Sequence, residues 1–119
     1  MFVFVYGTLK RGGALHSHLA GQRLLGEAQT ATRCRLHRLG WYPGLVDDAD
    51  GVFVSGELWE VDEPTLQVLD EIEGVDEGLY ERRPVQLQAP FNRKNVLTYY
   101  YLGDITDCPD CGTSWDSRS

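Results

Sequence analysis

Only three cysteines occur in the 119 residues, so they cannot all pair within one chain. Met1 leads directly into Phe2-Val3-Phe4-Val5 and then polar Tyr6-Gly7-Thr8, where an export signal needs a basic start, a longer apolar run and a small-residue cleavage site. A disulfide-stapled secreted scaffold is therefore not expected, and a reduced cytoplasmic compartment is. No apolar stretch approaches membrane-spanning length. Basic residues are also scarce: 11 Lys and Arg stand against 18 Asp and Glu, for a formal net charge of -7. Phosphate backbones are bound by clustered cations, and the only basic runs, Arg33 to Arg38 and Arg82-Arg83, are interleaved with apolar residues like the solvated faces of strands. Neither nucleic acid nor a membrane is expected as a partner. Internal repeats and low-complexity tracts are missing as well.

What is present is an ordinary globular composition, 42% hydrophobic and 24% charged, far from the regime of disorder. At this length folding hides roughly two thirds of the unfolded surface, which supports one core. Phe2 to Val5 is wholly apolar and ends at Gly7, as in a central strand buried on both faces. Gly12-Gly13 breaks the chain, and Ala14 to Leu19 suits a short helical stretch that Gly21 stops. Leu24 to Leu39 reads as two extended segments with a bend near Ala31. Gly40-Trp41-Tyr42-Pro43-Gly44 and Asp47 to Gly51 carry turn chemistry, and between Val52 and Val61 a strand is expected with a bulge at Gly56. Asp62 followed by Pro64 and Thr65 is a helix start, with Gly74 as its stop, so a helix is expected to about Glu73. Tyr80 to Leu87 and Val96 to Tyr101 form a hairpin around Asn92 to Asn95. A domain over 1–103 is then followed by a polar, aperiodic tail, 104–119, expected to be partly disordered.

One carboxylate is oddly placed. Leu66, Leu69 and Glu73 are spaced by three and four residues, so Glu73 shares a helix face with core residues. The last turn of a helix and partial burial both disfavour a negative charge there and raise the pKa, which suits proton transfer near neutral pH. The alternative is a helix-end glutamate paired with Arg82 or Arg83. Gly7 to Gly12 has the glycine spacing that opens a phosphate loop, but Gly13-Ala14 replaces the needed Lys and Ser or Thr, and the dinucleotide fingerprint fails too. A strand-end loop with exposed N–H groups, suited to a carboxylate or oxyanion, remains beside the reading of a plain turn. Cys108-Pro109-Asp110-Cys111 has ligand-like spacing, and Cys34 with His37 would complete four zinc ligands. Residues three apart on a strand face opposite ways, so that pair does not converge, and no metal site is expected. His16 and His18 have no partner motif, and no serine nucleophile context is present.

Taken together, Phe2-Val3-Phe4-Val5-Tyr6-Gly7-Thr8-Leu9-Lys10-Arg11-Gly12, Tyr42-Pro43-Gly44-Leu45-Val46, Val54-Ser55-Gly56-Glu57-Leu58-Trp59, Leu69-Asp70-Glu71-Ile72-Glu73-Gly74 and Leu79-Tyr80-Glu81-Arg82 resemble the gamma-glutamylcyclotransferase-like family, nearest its gamma-glutamylamine cyclotransferase branch. The resemblance runs over residues 2 to 101. It implies an α+β fold, a small mixed β-barrel with flanking helices and a cavity at one side. It places the catalytic carboxylate on Glu73 and the substrate loop on Tyr6, Gly7, Thr8 and Leu9, with Tyr80 as an added hydroxyl donor or a core-packing residue. The reaction implied is an intramolecular aminolysis of a small γ-glutamyl amine or amide, releasing 5-oxoproline and an amine without a cofactor. A noncatalytic small-molecule or protein-binding module using the same cavity is the alternative. A structural interaction protein with an exposed Tyr99 or Tyr101 stripe is the third reading. The leaving amine and the oligomeric state are not set by the sequence.

Overall fold

The apolar run at the start forms β1 (Phe2–Val5), the middle strand of the larger of two sheets in a computed structural model that describes residues 1–116. A short 3-10 turn (His16–Leu19) follows, then β2 (Arg23–Gln29), β3 (Cys34–Arg38), β4 (Pro43–Asp47), β5 (Ser55–Glu60), α1 (Glu63–Ile72), β6 (Tyr80–Val85) and β7 (Val96–Tyr101). The main sheet has the order β2-β5-β1-β7-β6, and β3 and β4 pair in a separate ribbon. β1 runs antiparallel to β5, with Val5 opposite Glu57, and parallel to β7, with Phe2 opposite Val96.

Successive side chains of a strand point to opposite faces, and β1 divides the core accordingly. Val3 and Val5 pack with Leu9, Leu19, Trp59, Leu66, Leu69, Tyr80 and Tyr99 on the helix side. Phe4 packs on the other side with Leu36, Leu45, Val54, Leu58 and Trp115. α1 begins where the sequence places it: Asp62 Oδ1 accepts the Thr65 N–H at 2.9 Å, and Pro64 occupies the first turn. Its last helical residue is Ile72, Glu73 is the C-terminal cap, and Gly74 leaves at φ +65°, a left-handed conformation that favours glycine.

Three expectations are corrected. The sheet is not closed into a barrel among the described residues: β2 and β6 are its edges, and their continuations meet only at one bridge, Thr30 to Leu87. The edges are built as edges. Pro84 lies within β6, where a residue without an N–H is tolerated only at a sheet border, and β2 is interrupted between Leu24 and Gly26. That interruption is the bulge, so it falls on β2 and not at Gly56. Gly56 keeps regular register with Ala28, and a Cβ there would lie 2.4 Å from the Val5 carbonyl oxygen, so the glycine serves close approach between strands. Finally, the turn-like Pro43-Gly44 begins a strand, β4, paired with β3 throughout.

The segment expected as a polar tail is described as far as Asp116; residues 117–119 lie outside the described residues. Residues 109 to 111 lie beside β3, with the Cys111 N–H donated to the Leu36 carbonyl and the Arg38 N–H to the Pro109 carbonyl, both at 2.8 Å. Further on, the Ser55 N–H reaches the Thr113 carbonyl at 2.7 Å, and Trp115 is buried in the core with the Arg38 guanidinium 4.4 Å above its ring. One aromatic anchor thus offsets a polar composition. Trp115→Ala is expected to lower unfolding free energy by about 3–5 kcal/mol, the range for emptying a buried aromatic site, as read by urea denaturation.

Candidate active site

The cap position of α1 sets the site. Leu66 and Leu69 turn their face into the core, and Glu73, one turn further on, lines a cavity of ≈ 260 Å³. The same cavity is lined by Tyr6, Gly7, Thr8 and Leu9 from the loop after β1 and by Tyr80 at the start of β6. All six residues singled out in the sequence therefore meet at one place.

Glu73 is only partly buried as a whole residue, but its carboxyl is enclosed closely enough that burial pushes its pKa up from 4.5 to about 7. The pairing with Arg82 or Arg83 is not found. Arg82 Nη1 donates to Asp70 Oδ2 at 2.6 Å, and Arg83 Nη2 to Asp47 Oδ2 at 3.0 Å with its guanidinium over the Tyr100 ring. Among the described residues the Glu73 carboxyl has no hydrogen-bond or ion-pair partner. A carboxyl so placed is near half ionised at neutral pH and has its lone pairs free.

The loop opposite is fixed by its own carbonyls. The Lys10 N–H donates to the Gly7 carbonyl at 3.0 Å, the Leu15 N–H to the Thr8 carbonyl at 2.9 Å, and His16 Nδ1 lies 3.0 Å from the Leu9 carbonyl. The amide N–H groups of Gly7, Thr8 and Leu9 have no partner among the described residues, which leaves three donors at the cavity wall. Gly7 is required by packing: a Cβ there would stand 2.5 Å from the Pro43 ring, which lines the cavity from β4.

The tyrosines do other work. The buried Tyr6 hydroxyl donates to the Tyr99 carbonyl at 2.6 Å and accepts the Leu45 N–H at 3.3 Å, tying β1, β7 and β4 together, so Tyr6 offers the cavity backbone and ring rather than a hydroxyl. Tyr80 donates its hydroxyl to the Pro43 carbonyl at 2.7 Å, which commits the proton that a substrate donor would need. Burial, with the nearby Glu73 charge, raises both phenols above their ordinary value. Tyr99 is no exposed stripe: it is 2% exposed and donates to Asp70 Oδ1 at 2.7 Å. Asp70 thus takes both Arg82 and Tyr99, one turn before Glu73, and fixes the end of the helix against β6 and β7. The sequence reading missed the mouth of the cavity, where Trp41 and Leu79 keep 60% and 50% of their surface exposed. Their signal was apolar side chains in segments of turn composition. His37, weighed as a metal ligand, places Nδ1 3.1 Å from the Cys108 carbonyl, and no group of three or more metal-ligating side chains occurs among the described residues.

The small α+β domain thus brings an unpaired carboxyl and a loop with unused backbone donors to the lining of one cavity. Residues 3–117 match the family described as Gamma-glutamyl cyclotransferase, AIG2-like. A Vibrio cholerae protein with the provisional name gamma-glutamylcyclotransferase is 40% identical over 98% of this chain and 96% of its own length. The Mus musculus protein named gamma-glutamylaminecyclotransferase is 35% identical over 92% of this chain and 73% of its own. The crystal structure of an AIG2-like protein from Mus musculus superposes with a TM-score of 0.85 at 29% identity, covering 99% of this chain and 89% of that one. The chain belongs to the gamma-glutamyl cyclotransferase, AIG2-like family. No helix among the described residues is long and apolar enough to cross a membrane.

Proposed function

We propose that the protein cleaves a small γ-glutamyl amine or amide by intramolecular aminolysis, with Glu73 as the general acid-base. The observation that carries this reading is the unpaired Glu73 carboxyl, held at a pKa of about 7 across a cavity from free loop N–H groups. The ionised carboxylate takes a proton from the substrate's α-ammonium. The freed α-nitrogen attacks its own γ-carbonyl carbon, and the new C–N bond closes a five-membered lactam. The bond to the leaving nitrogen then breaks as Glu73 returns this proton to it, and the second proton that the α-nitrogen sheds on becoming a lactam N–H passes to the same nitrogen through Glu73, giving 5-oxoproline as its carboxylate and the amine as an ammonium ion. Atoms and charge balance without a cofactor or added water.

The N–H groups of Gly7, Thr8 and Leu9 hold the substrate's α-carboxylate, which orients the α-nitrogen toward the γ-carbonyl and supplies the proximity on which ring closure depends. Tyr6 positions this loop, and Tyr80 shapes the wall through its ring. The partner is thus a small molecule in the cytoplasm. The test is a panel of γ-glutamyl amines and γ-glutamyl dipeptides incubated with the protein, with 5-oxoproline measured directly. Release of 5-oxoproline with the amine in equal amount is expected for at least one of them. No release from any, with ligand-dependent thermal stabilisation, would instead assign a binding module.

A further inference from the structure

The loop carrying Gly7, Thr8 and Leu9 is held from behind by a carboxylate that the proposed chemistry does not use. Glu57 lies in β5 directly opposite Val5, the last residue of β1, so its backbone stands where the loop starts. Its side chain reaches where the loop ends. Oε1 accepts the backbone N–H of Arg11 at 3.0 Å, and Oε2 accepts Arg11 Nε at 2.9 Å. Oε1 also accepts the Trp59 indole N–H at 3.2 Å. Trp59 packs on His16 with ring centroids 5.5 Å apart, and His16 in turn touches the Leu9 carbonyl.

A buried carboxylate is costly unless its oxygens are satisfied. Glu57 is 7% exposed, and burial pushes its pKa up, but the bonds from Arg11 and Trp59 outweigh burial and hold it below the ordinary value. It stays ionised, and its side-chain hydrogen bonds are with Arg11, two residues past the loop, and with Trp59, which backs the loop through His16. Glu57 does not line the cavity that holds Glu73; with Lys10 it lines a separate groove.

We infer that Glu57 is a positioning residue, which clamps both ends of the Tyr6–Leu9 loop to one strand position so that the Gly7, Thr8 and Leu9 N–H groups meet the substrate carboxylate at fixed spacing. This rests on the reading that the loop binds the substrate. The clamp preserves the Lys10-to-Gly7 and Leu15-to-Thr8 hydrogen bonds, which give a readout independent of turnover.

Glu57→Gln keeps the size of the side chain and removes the charge facing Arg11. Amide hydrogen exchange at Lys10 and Leu15 is expected to quicken about tenfold, as for loss of a hydrogen bond to a charged group. In steady-state 5-oxoproline release, KM is expected to rise about tenfold while kcat falls less, because binding of the carboxylate is shared by ground and transition states. The apparent pKa of the pH profile should stay at the wild-type value, since Glu73 is untouched. Arg11→Ala should reproduce a smaller part of the KM rise and Arg11→Lys restore some of it; Arg11 is half exposed, so these variants carry the test if Glu57→Gln does not fold. A lower Tm with unchanged KM and unchanged exchange would make Glu57 merely structural and overturn the inference, as would a loss confined to kcat. If the wild-type protein releases no 5-oxoproline, the proposed function fails, and the clamp is judged by exchange alone: faster exchange supports it and unchanged exchange overturns it.

Discussion

Glu73→Gln is expected to lower kcat/KM for 5-oxoproline release by about 10²–10⁴-fold, the range that one positioned acid-base group contributes. The substitution keeps the shape of the side chain and its place on the cap of α1, but the amide neither takes the proton from the α-ammonium nor returns one to the leaving nitrogen. Product binding should change little if, as proposed, the loop N–H groups and not Glu73 hold the carboxylate. The loss therefore belongs in kcat. 5-Oxoproline affinity measured by calorimetry on both proteins separates this from a collapsed site: equal affinity with lost turnover is expected, whereas lost affinity would show that Glu73 holds the cavity open.

The same variant is expected to be more stable than the wild type at pH 8, by about 3 kcal/mol. In the unfolded chain the carboxyl ionises at its ordinary value of 4.5, and in the folded protein at about 7. Between these values the folded state binds more protons than the unfolded one, so stability is full below about pH 4.5 and falls as pH rises toward 7. Above that the cost is constant. Glutamine never ionises and escapes it. Calorimetric unfolding at pH 4 and pH 8 reads the difference directly: Glu73→Gln should match the wild type at pH 4 and exceed it at pH 8. Equal stability at both would place the Glu73 carboxyl in solvent. A residue that destabilises its own fold when ionised is the pattern expected where activity depends on a strained electrostatic position.

The parts of this molecule that were legible in its sequence are those set by neighbours along the chain. The cap at Asp62, the first-turn Pro64, the apolar face of Leu66 and Leu69 and the stop at Gly74 are local rules, and together they placed Glu73 on the core side of a helix end. The continuous apolar run Phe2 to Val5 likewise announced a strand covered on both faces. Features that depend on distant partners were not legible. Gly44 reads as a turn residue, yet a Cβ there would meet the Tyr101 side chain at 2.8 Å, so its smallness lets β4 lie against β7. The true partner of Arg82 is Asp70 and not Glu73, which depends on how β6 passes the helix and not on spacing.

The open sheet and the tail show the same limit. Closure depends on whether two edges meet, and among the described residues they do so at a single bridge, Thr30 to Leu87, a pair 57 positions apart. Trp115 is the one aromatic residue of the polar tail, but it is buried in a cluster with Phe4, Leu36, Leu45 and Leu58, residues distant in the chain, and no local pattern predicts that. The loop Tyr6 to Leu9 lay between these cases. Its glycine and its position after a strand were readable, whereas its unused N–H groups follow from carbonyl bonds to Lys10, Leu15 and His16 that exist only in the folded loop.

The central claim is that ionised Glu73 is the base, and the pH dependence of kcat/KM tests it most directly, because that quantity reports the free enzyme's essential groups. For the wild-type protein, kcat/KM should rise with unit slope through the acid range and bend at an apparent pKa of about 7. A bend at the ordinary carboxyl value of 4.5, or a profile flat from pH 5 to pH 8, would contradict it.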